Sequence, residues 1–422
     1  MDSKRSTHGR FDRFRSETGI SLIHVAMLLF VFMGFSMFVT DLGALWLARG
    51  QAQNAADAGA LAGAISRAFD DTSASPAVGG IVDKSALAAV ANHTVIDGAP
   101  TASVLLSGRD AGACPTYAAA GATCVRVDVF RDGTNSSTTL PTFFGNVFGI
   151  TSQKIKATAT AQVGVANATD CLRPFGVPDL YIDANPGDAD NPMGEYHKYY
   201  KNGPNAGTPL PIQDTYVKPT KTDPGTGYTV ANNYGQQLTL KFGNPNASDP
   251  ISPGWFLPID VPLANSPDTG KDRYRDNIAG CNGVPVEIGE YLPTETGAAI
   301  GPTRMGIQAL IDQDPSAMWS NGQIVGTCAP GCGQYSPRVI ALAVYDTGKL
   351  EYSITHNDWS YCAGGGKCVQ IVNFLAFFVD HIDAGGNVIG YLVREAAILT
   401  TNGGTTNVGG PSAFLYVIQL IQ

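Results

Sequence analysis

Between Glu17 and Asp41 stand 23 residues without a single Asp, Glu, Lys or Arg. As a helix rising about 1.5 Å per residue, such a run reaches roughly 35 Å and crosses a hydrocarbon core of about 30 Å. A cleaved secretory signal carries an apolar stretch of only about 7–15 residues before a small-residue cleavage site. This run instead continues without a break into DLGALWLARGQAQNAADAGALAGA (41–64), so we read it as an uncleaved anchor. The leader carries Lys4, Arg5, Arg10, Arg13 and Arg15, whereas the 30 residues after the span carry only Arg49 and Arg67. The Lys/Arg bias therefore puts the N-terminus in the cytoplasm and everything from about Asp41 outside. His24, near the cytoplasmic end, is expected as a neutral imidazole by the headgroups rather than as a functional intramembrane group.

Past Asp41 the helical signal persists, rich in Ala, Leu and Gln and without proline before Pro76. The helix is predicted to run to about Phe69. Within it Ala52, Ala55, Ala56, Gly59, Ala62 and Gly63 recur at spacings of three and four, a ridge of small side chains that lets another element approach closely. Two readings of the ridge stay open: contact with a partner helix, and packing on the chain's own domain. A second short helix is predicted over Ile81–Val90. VRVDVF (125–130) and KIKATATAQV (154–163) then alternate as strands with one buried face. PTFFGNVFG (141–149), between them, is expected to be a short turn or helix that buries its aromatics.

From Asn167 to about Pro253 the sequence is rich in Pro, Gly and Asn, and the shift marks a boundary near 165–170. Strand character returns in VIALAVYDT (339–347), KCVQIVNFLAFFVDHI (367–382), NVIGYLVRE (387–395) and AFLYVIQLI (413–421), with one helix, TRMGIQALIDQD (303–314), before them. The expected fold class is α+β. A cytoplasmic basic tail (1–18) leads into a transmembrane helix (19–40) that extends as a long periplasmic helix into a small α+β region (41–166). A mainly β extracytoplasmic domain (167–422) follows.

Only 15% of residues are charged, against 49 Gly and 26 Pro, a balance that favours short strands and turns. The net charge of −9, with no Lys/Arg cluster after residue 20, excludes a nucleic-acid partner. Eight cysteines, all beyond the apolar run, suit an oxidising compartment. Cys114 and Cys124 bracket a Gly/Ala loop and are paired as a local staple. CAPGC (Cys328, Cys332) and CAGGGKC (Cys362, Cys368) are read as two disulfides rather than a four-thiolate zinc site, because only the first has the usual tight zinc spacing. Cys171 and Cys281 pair by elimination.

No cofactor, metal site or catalytic group is assigned. DTSAS (71–75) has the D-x-S-x-S pattern of a metal-dependent adhesion site but follows a helix instead of the buried strand that would aim its oxygens. DANPGDADN (183–191) has calcium-loop composition without the twelfth-position Glu, so Asx turns are the default. His356, Asp358 and His381 are read as structural, since no nucleophile with its base is apparent.

A charged leader, a Gly, one span and the stretch 41–64 together resemble the N-terminal segment of TadG-like proteins of the tight-adherence (Tad/Flp) pilus system. The matching positions are Asp41, Leu47, Arg49, Gln53, Ala56, Asp57, Ala58, Leu61, Ala62 and Gly63. CLRPFGVPD (171–179), YRDNIAGCNG (274–283), GPTRMGIQALIDQDPSAMW (302–319) and VQIVNFLAFFVD (369–380) also resemble the extracytoplasmic part of a subset of these proteins. The resemblance implies a bacterial inner-membrane protein crossing the bilayer once. Its partners would be other Tad pilus or secretion components and membrane lipid, with no small-molecule substrate identified. A prepilin-type cut after Gly19 would place His24 where type IV pilins carry Glu, so such cleavage is not expected. The other readings are an anchored adhesin or ligand-binding protein using YHKYY (196–200), and an anchored hydrolase using Asp183 or Asp358.

Overall fold

The apolar span and the alanine-rich stretch form one uninterrupted helix, α1 (Glu17–Phe69), of 53 residues. The computed structural model describes residues 17–118, 122–133, 137–185, 194–220, 223–242, 251–262, 270–295, 300–328, 336–396 and 414–421. Two compact units divide near Gln162/Val163, and residues 419–421 belong to the first unit.

In the first unit α1 packs on α2 (Ile81–Ala91) and on a sheet that contains β1 (Thr101–Leu106), β2 (Thr123–Arg131) and β3 (Ile155–Val165) in that spatial order. β1 and β2 run antiparallel, Thr101 opposite Phe130 and Leu106 opposite Val125. The alternation in β2 works as a strand pattern should, with Val125, Val127 and Val129 buried on one face. Asp128, which shares the opposite face with Arg126, accepts from the Thr158 hydroxyl at 2.7 Å and pairs with Lys156 at 2.9 Å. Glycines in α1 cost helical stability, yet Gly59 and Gly63 sit where nothing larger fits. A Cβ on Gly59 would lie 2.6 Å from Val90 Cγ2, and one on Gly63 would lie 2.8 Å from Val125 Cγ1. Arg109 fastens the far side, its guanidinium meeting Asp83 at 2.7 Å and Asp110 at 2.7 Å. Cys114 and Cys124 are joined.

The second unit is built on strands β4 (Leu172–Pro178), β5 (Gln237–Phe242), β6 (Trp255–Pro258), β7 (Tyr291–Pro293), β8 (Val339–Tyr345), β9 (Cys368–Ile382) and β10 (Val388–Val393). Their pairing closes on itself: β9 beside β8, β8 beside β4, then β6, β5 and β10, which returns to β9. β7 adds to β9 beyond the ring. Closing a sheet removes the open edges that would otherwise offer unpaired backbone groups. β8–β4 and β5–β6 are parallel and the other ring pairs antiparallel. Phe374, Phe377 and Phe378 of β9 are fully buried with Phe175 and Phe256, which meet edge to face at 4.9 Å. Gly390 faces them closely, since a Cβ there would fall 2.0 Å from the Phe378 carbonyl oxygen.

Among the described residues three helices of ten residues or more accompany this sheet, where the sequence suggested one: α3 (Gly270–Ala279), α4 (Ile300–Ile311) and α5 (Thr347–His356). α5 begins on Asp346, whose side chain accepts the Lys349 N–H, and ends on Asn357 in the left-handed region. α3 is mostly polar, so its buried stripe is limited to residues such as Tyr274 and Ile278 and gives little periodic signal. Cys171–Cys281 and Cys362–Cys368 are joined. Cys328 is disulfide-bonded, while Cys332 lies outside the described residues.

Candidate functional site

α1 carries two surfaces in series. From Leu22 to Val39 its large side chains are open, Phe30 at 79% and Phe32 at 69% exposure. By length and composition this stretch is sufficient to cross a membrane. From Ala48 onward the inward face is small and closed: Ala52, Ala55 and Ala56 are fully buried, Gly59 and Gly63 are buried, and Ala62 is half-buried. The ridge lies against α2 and the valines of β2, so its small side chains are taken up inside the unit. Just ahead of this closed stretch and at its start, Leu42, Trp46, Leu47 and Arg49 are exposed.

Asp41 marks the junction between the two surfaces. Its carboxylate accepts the N–H groups of Phe143 (2.8 Å), Phe144 (3.1 Å) and Gly145 (2.7 Å), where a 3-10 turn begins. The turn is closed by Ile150 N–H donating to the Gly145 carbonyl at 3.0 Å. A Cβ on Gly145 would lie 2.8 Å from the Ile150 oxygen. Phe143 is 59% exposed and Phe144 half-buried, which corrects the expectation that this segment buries its aromatics. The backbone of the turn is what docks, because one carboxylate needs three of its N–H groups. The motif position Gln53 and its neighbour Gln51 also hold backbone. Gln51 accepts the Ile96 N–H at 2.9 Å, and Gln53 donates to Asp57 at 2.9 Å and to the Thr158 carbonyl at 3.1 Å.

In the second unit the segments 171–179, 274–283, 302–319 and 369–380 meet one another. Arg173 donates to the carbonyls of Asn277 and Gly280 at the end of α3, next to the Cys171–Cys281 bond. Asn282 accepts the Leu172 N–H at 2.9 Å. Tyr274 and Thr303 share a hydroxyl bond of 2.9 Å. Arg338 donates to the carbonyls of Asp314, Ala317 and Val379, linking the segment 302–319 to β9. Asp179, where CLRPFGVPD ends, is fully buried. Burial pushes its pKa up to about 7 against the pull of the Leu180 and Tyr228 N–H groups and the Tyr216 hydroxyl.

A cleft of about 380 Å³ in this unit is lined by His197, Tyr199, Tyr200, Lys201, Ile212 and Asp214. Glu351 lies fully buried and accepts the N–H groups of Lys198 (2.6 Å) and Tyr199 (3.1 Å). Lys201 pairs with Glu195, and burial brings its pKa down to about 8. Of YHKYY, Tyr196 belongs to the core rather than to the surface, a correction to the picture of an exposed aromatic run. His356 stacks on Tyr352 at 4.0 Å and His381 bonds Asp380 at 2.9 Å, so each has a local structural partner. Asp71 accepts from the backbone and hydroxyl of Ser73, and Asp183 accepts the Asn185 N–H, both Asx-type turns. Asp358 accepts the Ser360 N–H in the same way. Residues 186–193 of the second acidic loop lie outside the described residues. Among the described residues no group of three or more His, Cys, Asp or Glu is placed to hold a metal.

Neither Glu351 nor the docking of Asp41 onto the 142–150 turn was visible in the sequence. Asp41 could be read only as a motif position, since its partners lie about a hundred residues away. Glu351 lies on a helix that sequence periodicity did not separate from its neighbouring strands.

A curated relative, a UPF0301 protein of Pseudomonas fluorescens (strain SBW25), is 30% identical over 88 residues, 21% of this chain. The chain spans about half of that relative's length, 47%. No solved structure matches. Residues 20–67 match the family model described as putative Flp pilus-assembly TadE/G-like, and that range falls wholly within α1. The long helix, with its open apolar half and its closed small-residue half, thus carries the segment in which the chain is similar to the Flp pilus-assembly TadE/G-like family.

Proposed function

We propose that the chain is a membrane-anchored structural or assembly component of a Tad (Flp-type) pilus or related secretion apparatus. It spans the bacterial inner membrane once, with its N-terminus in the cytoplasm and its bulk in the periplasm or beyond. One observation carries this reading. The family segment coincides with a helix whose first half is open apolar surface and whose second half is the core of a folded unit. No linker separates span from domain, so the helix fixes how far the first unit stands from the bilayer. A structural rather than enzymatic role is supported by the buried charged groups of the second unit. Glu351 holds backbone N–H groups and Arg338 holds backbone carbonyls.

The surface left for a partner is the outward stripe of Leu42, Trp46, Leu47 and Arg49. A photo-crosslinking residue at Trp46, in the full chain in native membranes, should capture pilus or secretion components, whereas one at Ala56 should crosslink only within the chain. Capture of nothing from that machinery at Trp46 would count against the proposal.

A second reading, an anchored adhesin or ligand-binding protein, is favoured by the cleft at Tyr199, Tyr200 and Lys201. Glycan-array binding by the full chain that Lys201→Met abolishes would support it, and binding indifferent to that change would not.

A further inference from the structure

The turn around residues 142–150 fastens its backbone and leaves apolar side chains outside. Phe143 is 59% and Ile150 52% exposed, and LPTFFGNVFGIT (140–151) contains no charged residue. A surface turn normally carries polar residues, so an aromatic one implies a surface that is not water. Its position says which surface. The turn is held by Asp41, the first charged residue after the apolar run. Met37, Phe38 and Leu42 of α1, with Phe144 and Ile150 of the turn, line a hollow of about 150 Å³. The turn is therefore level with the point where the helix leaves the hydrocarbon. Asp41 itself has its carboxylate solvated by backbone N–H groups of the turn.

We infer that this turn is an interfacial membrane anchor, with Phe143 and Ile150 entering the outer face of the same bilayer that α1 crosses. The inference rests on the membrane-anchored reading proposed above. Helix and turn then grip the lipid boundary at two points joined by Asp41, and α1 is limited in sliding and rotating through the bilayer. Aromatic side chains suit that depth, having an apolar body that tolerates the headgroup region.

Depth-dependent quenching in lipid nanodiscs tests it, with the full-length chain carrying Trp46→Phe as background. Tryptophan is introduced by Phe32→Trp in one variant and by Phe143→Trp in another. Each is compared in lipids brominated near the ester end or near the methyl end of the acyl chain. Phe32→Trp should be quenched most by deep bromine. Phe143→Trp should add blue-shifted emission quenched most by shallow bromine, and a further Asp41→Ala should lose that shift. If Phe32→Trp is quenched while Phe143→Trp emits as in water and ignores bromine, the turn faces water or protein and the inference is overturned. If Phe32→Trp is also unquenched, the span itself fails and the inference fails with it.

Discussion

The two units reach a closed core by opposite means. The first closes on small side chains: Ala48, Ala52, Ala55, Ala56, Ala60, Ala64 and Ala68 of α1 are all buried, against the valines of β2. The second closes on large ones, with Phe175, Phe256, Phe374, Phe377 and Phe378 buried on a sheet that returns on itself. A small-residue core brings backbones close and tolerates no added volume, whereas a ring of strands has non-local pairings to secure and uses covalent and buried polar clamps to do so. The first unit should thus fail by overfilling and the second by loss of its clamps.

The largest effect should come from the longest clamp. Cys171 and Cys281 close a loop of 110 residues, and a cross-link over about 100 residues contributes roughly 5 kcal/mol in the chain-entropy account. Replacing both by Ser should lower the unfolding free energy of the second unit by about that amount. Hydrogen exchange should show faster opening of β4 and α3, with the first unit protected as before. An unchanged exchange pattern would mean that Arg173 and Asn282 hold the junction without the bond.

Next in size is overfilling of the first unit. Gly59→Leu places a side chain where even a Cβ meets Val90 at 2.6 Å, and forcing extra volume into a packed core costs about 1–3 kcal/mol. The upper end is expected, because α1 cannot retreat without leaving β2. Ala56→Leu should act alike, since Ala56 is fully buried. Either change would then reduce assembly by damaging the fold, with increased protease sensitivity of the full chain in detergent as the readout. A variant that resists protease like the parent yet fails to assemble would restore the ridge as a partner contact.

These contrasts also show what the sequence could convey. Local periodicity carried α1, α2, the valine face of β2 and the apolar strands, because each is set by neighbours a few residues away. The ring could not be read, since β9 meeting both β8 and β10, and β4 meeting β8, are pairings between distant segments. The segments around Cys171, Tyr274 and Val369 can be picked out singly, but the bond from Arg173 to the end of α3 joins residues about a hundred apart and leaves no local signal. At the candidate site the exposure of Phe143 departs from the expected burial, because hydrophobicity alone does not say whether an apolar side chain is inside or outside.

A third test concerns a buried charge at a strand end of the second unit. The Asp179 carboxyl has an ordinary value near 3.8 and is pushed up to about 7 in the folded chain, chiefly by burial. Between those values the native chain holds a proton that the unfolded chain has lost. The contribution of this group is therefore most favourable near pH 4, declines as pH rises toward 7, and is level above that. Asp179→Asn keeps an oxygen for the Leu180 and Tyr228 N–H groups and removes the titration. The variant should gain stability relative to the parent as pH rises from 4 to 8, on the order of 2 kcal/mol once the site relaxes. Parallel pH curves for parent and variant would sink the assignment.

The smallest global effect, and the sharpest local one, belongs to Asp41. The carboxylate receives three backbone N–H groups of a turn that adds little to the core of the first unit, so Asp41→Asn should leave overall unfolding nearly unchanged. A neutral amide oxygen accepts more weakly than a carboxylate and offers one acceptor where there were two. The amides of Phe143, Phe144 and Gly145 should then exchange faster, while the buried face of β2 exchanges as in the parent. If the first unit as a whole loosens instead, the turn is part of that unit's core, and the contrast between a closed small-residue core and a tethered apolar turn at its edge does not hold.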